Sequence, residues 1–290
     1  MKRAVLIGAN GQVGSEICRL WRDSGLGHFD LVALTHADIE VTDETSLSSK
    51  LNELSPAIVI NTSGFLRVDE CELVPDKACR VNGMAVKDIA TFCAKNDALL
   101  VHYSTDYVFS GNKTAPYTEV DAPEPINAYG VSKLMGEYFA CYTLPENHLI
   151  IRTSGLFGPA GSSNKGGNFV MTMLRLAAAG RSLSVVDDQV FSPTYAPDLA
   201  EAMLSLVRQG ARGTVHLTNS GTTSWYGLAA RAFAESGLSP ELHPVSSSEY
   251  GSAARRPAYS VLDNSRATNL GVPPLRSWEH ALKEYVQRIA

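Results

Sequence analysis

Short apolar runs recur through the first half of the chain, separated by longer stretches in which apolar positions return every three to four residues. The runs predict strands at 3–7, 29–35, 57–61, 98–104 and 148–153, and the stretches between them predict helices at 12–24, 43–54, 76–96 and 128–142. Continuously apolar strands are buried on both faces, which requires a parallel sheet between two helix layers. Right-handed crossovers then wind the chain into a doubly wound, Rossmann-like α/β sheet. Thr42, Asp43 and Glu44 supply a cap and an acidic first turn for the second helix. After residue 155 the texture changes. A Gly- and Ser-rich loop at 158–167 leads into helices at 168–179, 197–209, 225–236 and 277–289, with short strands at 183–186 and 214–217. The expected division is a dinucleotide-type domain at 1–155 and a smaller α/β C-terminal lobe at 156–290, interleaved with the last strands of the sheet.

Composition narrows the class without changing this picture. A net charge of −5 argues against a nucleic-acid surface. The five cysteines are odd in number and contain no C-x-x-C pair, so reduced thiols are expected rather than a disulfide or metal framework. No apolar stretch approaches the ~20 residues that cross a bilayer, and the apolar run at 4–7 breaks into a glycine turn rather than a cleavage site. The expectation is a cytoplasmic protein with no nucleic-acid or membrane partner. No His/Cys/Asp cluster has metal-ligand spacing, so no protein-bound metal is expected.

Two motifs carry chemistry. Gly8, Gly11 and Gly14 follow the first strand and open the first helix, a spacing variant of the dinucleotide fingerprint. The second strand ends at Thr35, where an acid would favour an unphosphorylated ribose, so the reading favours NADPH with NADH as the alternative. Tyr129 and Lys133 stand four apart on a helix and share a face. An ammonium beside a phenol lowers its pKa and makes it a usable acid near neutrality. A hydroxyl at a strand end, such as Thr105, completes the outline of a carbonyl-reductase site.

Blocks spread along the chain add specificity: GANGQVG at 8–14, VDECE at 68–72, VHYSTDYVFSG at 101–111, YGVSKLMGE at 129–137, RTSGLFG at 152–158, DQVFSPTYAPDLA at 188–200 and RRPAYSVLDN at 255–264. On these the chain resembles the dTDP-4-dehydrorhamnose reductase family of extended short-chain dehydrogenases/reductases. The resemblance implies NAD(P)H-dependent reduction of the C4 keto group of a nucleotide-linked 6-deoxy sugar, with Tyr129, Lys133 and Thr105 as the catalytic set. It implies cofactor contacts from Gly8, Gly11, Gln12, Val13, Gly14, Glu40, Val41, Gly64, Phe65, Leu66 and Tyr103, together with Tyr129 and Lys133. Thr105 and Asp106 would touch the sugar, and Arg256 would pair with the substrate diphosphate. A homodimer is the assembly allowed for. Two alternatives remain: a reductase of another nucleotide 4-keto sugar, and a non-catalytic subunit resembling the regulatory subunit of methionine adenosyltransferase. One departure bears on the sugar. The family commonly has Trp where Gly155 stands, and Gly where Phe191 stands, so Phe157 or Phe191 is expected to fill the space or the substrate differs. Asn82 is a candidate water-bridged relay from Lys133, and His102 reads as a core histidine.

Overall fold

The structure is a computed structural model that describes residues 2–160 and 167–289, so part of the expected 158–167 loop lies outside the described residues. In chain order its strands are β1 (Lys2–Ile7), β2 (Phe29–Leu34), β3 (Ile58–Asn61), β4 (Leu99–Thr105), β5 (His148–Thr153), β6 (Leu156–Phe157), β7 (Leu183–Val186), β8 (Val190–Phe191), β9 (Thr194–Tyr195), β10 (Gly213–His216), β11 (Thr223–Ser224) and β12 (Leu242–Val245). Its helices are α1 (Gln12–Leu20), α2 (Glu44–Leu54), α3 (Val68–Leu73), α4 (Pro75–Cys79), α5 (Ala85–Lys95), α6 (Ala128–Thr143), α7 (Phe169–Ala178), α8 (Ala196–Arg208), α9 (Trp225–Ser236), α10 (Ser247–Tyr250), α11 (Ser265–Asn269) and α12 (Trp278–Ile289).

Six strands form one sheet in the order β10-β5-β4-β3-β1-β2, with every pairing parallel. Strand alternation decides which helix each side chain meets. Ala4, Leu6, Ile58, Ile60, Val101 and Leu149 pack with α1 and α8, whereas Val5, Ile7, Val59, Leu100 and Ile150 pack with α2, α5 and α6. Both faces are therefore covered, as the unbroken apolar runs require. The chain winds outward from β1 in both directions, and a ligand crevice opens beyond the carboxyl ends of β1 and β3 where the order reverses. The second half is not separate from this sheet: it contributes β10 as an edge strand and α8 as a covering helix. Its remaining elements enclose a second core of α7, α9 and α12 side chains, including Val170, Leu228, Leu282 and Tyr285. No helix among the described residues is long and apolar enough to cross a membrane.

The helix expected at 76–96 is interrupted. Between α4 and α5 the residues Arg80–Met84 form a π turn, which adds one residue to a turn and rotates the side chains that follow. Apolar periodicity cannot register a one-residue change of phase. The turn presses on α6, where a Cβ on Gly136 would stand 2.3 Å from the Asn82 carbonyl oxygen. Gly136→Ala is expected to destabilise the protein by about 1–3 kcal/mol through overpacking against backbone, read as a lower midpoint in denaturant unfolding. The cap expected at Asp43 is present: its carboxylate accepts the N–H groups of Thr45 and Ser46, both at 3.0 Å.

Candidate active site

The glycine turn is shaped for an anion. Gly8 has φ +86°, and a Cβ there would lie 2.7 Å from Thr62 Oγ1. A Cβ on Gly14 would meet the Gly8 carbonyl oxygen at 2.2 Å, so α1 can begin this close to the strand only without side chains. Gly11 caps α1 in an extended conformation with no side-chain acceptor, which leaves the first-turn amides open to a phosphate. At the end of β2, Asp38 accepts the Thr35 N–H at 2.8 Å and its hydroxyl at 2.7 Å, so this carboxylate is engaged in its own turn. Glu40 is likewise engaged by the N–H and hydroxyl of Thr42 (2.9 and 2.6 Å) and faces His36, while Val41 beside it is buried. The strand-end segment Gly64, Phe65 and Leu66 is clamped from behind. Asn82 Oδ1 accepts the Phe65 N–H at 2.8 Å, and Asn82 Nδ2 donates to the Phe65 carbonyl at 3.0 Å and to Ser132 Oγ at 2.9 Å. The π turn thus places the Asn82 side chain against this backbone.

The helix α6 begins at Asn127, whose side chain accepts the Gly130 N–H at 2.7 Å and donates to the Arg255 carbonyl at 2.8 Å. Gly130 lies so near Tyr107 that a Cβ would stand 2.2 Å from its carbonyl oxygen. Tyr129 and Lys133 share one face of α6, as their spacing predicts. Their chemistry differs from the sequence expectation. The buried Lys133 ammonium donates to the Tyr103 carbonyl at 2.5 Å and lies 3.4 Å from His102 Nε2, and no hydrogen bond joins it to the Tyr129 phenol among the described residues. Helix spacing brings the two residues to one face but does not reveal the carbonyl on β4 that draws the ammonium away. Burial brings Lys133 down to about 8, opposed by Glu137 one turn on. Burial also lifts the Tyr129 phenol above its ordinary range, with the Thr105 hydroxyl acting in the opposite direction. The phenol therefore stays protonated at neutral pH and is available as an acid. His102 is a core histidine, held neutral first by burial and then by Lys133, and its Nδ1 lies 3.3 Å from Asn61 Nδ2. Glu137 binds Arg152 bidentately at 2.9 and 2.6 Å, both side chains being buried.

Asp106 faces into the protein. Its carboxylate accepts Thr105 Oγ1 at 3.0 Å, Ser154 Oγ at 2.8 Å and Ser260 Oγ at 2.5 Å. Burial raises it to about 6 against the pull of the three hydroxyls. Arg256, expected on a diphosphate, is paired here with Asp69 (3.2 and 2.7 Å), and Asp69 also takes the Ala254 N–H at 3.0 Å. Gly155 has φ +51°, and a Cβ there would stand 2.2 Å from Phe191 Cε2. The Phe191 ring lies 4.2 Å from that of Trp225, which meets Phe169 at 4.8 Å. Phe191 and Phe157 belong to one buried core, Phe157 packing with Tyr195 and Tyr285.

The sequence matches the family described as RmlD substrate binding domain over residues 1–290. The chain belongs to that family. It is 41% identical over 287 residues to the spore coat polysaccharide biosynthesis protein SpsK of Bacillus subtilis, covering 99% of this chain and 98% of the relative. It is 36% identical over 283 residues to a dTDP-4-keto-6-deoxy-D-glucose reductase of Streptomyces niveus, covering 97% and 96%. Among solved structures, the dTDP-4-dehydrorhamnose reductase of Bacillus anthracis in complex with NADP superposes with a TM-score of 0.92 at 34% identity, covering 99% of this chain and all of that one. Set within the RmlD family, the structure brings Gly8, Gly64, Tyr103, Thr105, Tyr129 and Lys133 to one edge of the sheet. It turns Asp106, Glu40 and Arg256 toward protein partners. Sequence reasoning missed Ser154 and Ser260, although both lie inside blocks it singled out. A lone serine gives no signal of its distant partner.

Proposed function

We propose that this chain reduces the C4 keto group of a nucleotide-linked 6-deoxy sugar with NADPH, converting dTDP-4-dehydrorhamnose to dTDP-L-rhamnose. The observation that carries the reading is the placement of Tyr129, Lys133 and Thr105 at the sheet edge that also holds the glycine cradle. The cradle fits a dinucleotide. Gly8, Gly11, Gln12, Val13 and Gly14 would hold its pyrophosphate, and Gly64, Phe65, Leu66, Tyr103 and Lys133 would line the nicotinamide end. NADPH, when bound, supplies hydride to C4. Tyr129 gives its phenolic proton to the developing alkoxide, and Thr105 orients the phenol. Lys133, fixed by the Tyr103 carbonyl, presents its remaining N–H groups to a ribose hydroxyl. Residues 1–155 would serve the dinucleotide and 156–290 the sugar, in a cytoplasmic protein whose cysteines remain reduced.

The test is NADPH oxidation with dTDP-4-dehydrorhamnose. Turnover supports the reading. NADPH binding without turnover on any keto sugar favours a non-catalytic subunit instead. The wall at Gly155 and Phe191 favours a second reading, in which another dTDP-4-keto sugar is the better substrate. Phe191→Ala is expected to change the kcat/KM ratio between two such sugars by about 10–200-fold, the range a reshaped apolar pocket delivers. Steady-state kinetics on a sugar panel measures it, and an unaltered ratio would show that the ring lies outside the specificity wall.

A further inference from the structure

Asn61, His102 and Lys133 form a buried chain of polar groups behind the site. Asn61 ends β3, His102 stands beside it in register on β4, and Lys133 reaches in from α6. The Asn61 amide has one orientation open to it. Its Oδ1 accepts the Ser63 N–H at 3.1 Å and the Ser63 hydroxyl at 2.6 Å, and a backbone N–H can only donate. Asn61 Nδ2 therefore faces His102 Nδ1 at 3.3 Å and donates to it. Burial keeps the ring neutral, and Lys133 acts in the same direction. A neutral imidazole carries one proton, so with Nδ1 accepting, that proton sits on Nε2.

Nε2 is the atom turned to Lys133, with Nζ at 3.4 Å. An ammonium has three donors and no acceptor, whereas a neutral amine has two donors and a lone pair. The ring N–H finds a partner only in the amine. Against the ammonium, two donors oppose each other. The Tyr103 carbonyl accepts from Nζ at 2.5 Å and suits either state.

We propose that His102 is a positioning residue for the reduction: locked by Asn61 with its N–H toward Lys133, it closes the inner side of the lysine to donation, so that Lys133 releases its proton readily and directs its N–H groups to the Tyr103 carbonyl and the cofactor ribose. The consequence for turnover rests on the reductase reading above, whereas the tautomer does not. The charged and titratable groups around Lys133 are His102 of β4, Glu137 one turn along α6, and Arg152 of β5, which is paired with Glu137. Tyr129 shares the helix face, with Asp106, Tyr107 and Cys71 against it. Burial brings Lys133 down to about 8 against the pull of Glu137, and the His102 N–H acts in the same direction as burial. An ammonium on the Tyr129 face favours the phenolate that forms as the proton leaves. Lys133 is charged below its midpoint, so kcat should fall as pH rises through about 8.

The first measurement needs no substrate. A long-range proton–nitrogen correlation spectrum of the full chain, labelled in histidine and recorded near neutral pH, distinguishes the two tautomers, and His102→Gln identifies the signal among the seven histidines. A proton on Nε2 is expected, and a proton on Nδ1 would overturn the proposal. The second measurement follows the Lys133 charge through its Cε resonance, assigned with Lys133→Met. Asn61→Asp keeps an oxygen for Ser63 and offers another to Nδ1, which moves the ring proton there and makes Nε2 an acceptor. The Lys133 midpoint should then rise by about one unit or more. His102→Gln, whose carbonyl can turn to the ammonium, should raise it as well. The alkaline limb of kcat with NADPH and dTDP-4-dehydrorhamnose should move with the midpoint, a shift that a purely structural role would not produce. A thermal melt reports folding, and where Asn61→Asp fails to fold, His102→Gln decides. A Lys133 midpoint unmoved in the folded variants would overturn the proposal. Absence of wild-type turnover would instead overturn the reductase reading and leave both resonance measurements standing.

Discussion

Tyr129→Phe is expected to lower kcat for keto-sugar reduction by about 10²–10⁴-fold while leaving the NADPH dissociation constant unchanged. The substitution removes one oxygen and its proton and keeps the ring, whose edge contact with Tyr107 at 5.9 Å is preserved. The other nearby acids are poorly suited to replace it. The Lys133 ammonium is committed to the Tyr103 carbonyl, and the Thr105 proton is turned toward Asp106. Because burial holds the phenol above its ordinary range, wild-type turnover should show no alkaline loss from Tyr129 between pH 7 and its unperturbed value near 10. Single-turnover kinetics beside a fluorescence titration of NADPH would separate the proton from the binding. A variant retaining a tenth of wild-type kcat would remove Tyr129 as the acid.

Arg152→Leu should cost about 3–5 kcal/mol of stability, because it strands the Glu137 carboxylate in a buried site. Arg152 reaches Glu137 from β5, lies 5.1 Å over the Phe109 ring, and has His216 Nε2 at 3.5 Å, and both charged side chains are buried, so the orphaned charge would stay among protein groups. Chemical denaturation measures the loss. Glu137→Leu in the same background should restore a large part of it, since replacing both partners of a buried pair removes the unpaired charge. A loss below about 1 kcal/mol would mean that the pair behaves like an exposed one. The effect should reach the site as well. Glu137 raises the Lys133 pKa against burial, so a variant that neutralises Glu137 should leave Lys133 with a still lower one.

The parts of this molecule written in local patterns were legible in its sequence. Unbroken apolar runs predict β1 to β5 as two-sided strands, glycine spacing predicts the turn after β1, and a separation of four places Tyr129 and Lys133 on one helix face. Features that depend on distant parts of the chain were not. Ser154 and Ser260 reach Asp106 across 48 and 154 residues, and Asp69 meets Arg256 across 187. No pattern near Asp106 indicates that its carboxylate is surrounded by hydroxyls rather than open to a sugar. Asn82 illustrates a different limit. The one-residue gain of a π turn leaves composition and periodicity nearly unchanged, yet it decides that the side chain clamps Phe65.

The contact between Gly155 and Phe191 also ties two distant positions of the chain into one choice. With a Cβ at position 155 only 2.2 Å from the ring, any side chain there and a phenylalanine at 191 exclude each other on this backbone. The two sites, 36 positions apart, therefore vary as a unit: a residue larger than glycine at 155 is accommodated only where position 191 is made smaller.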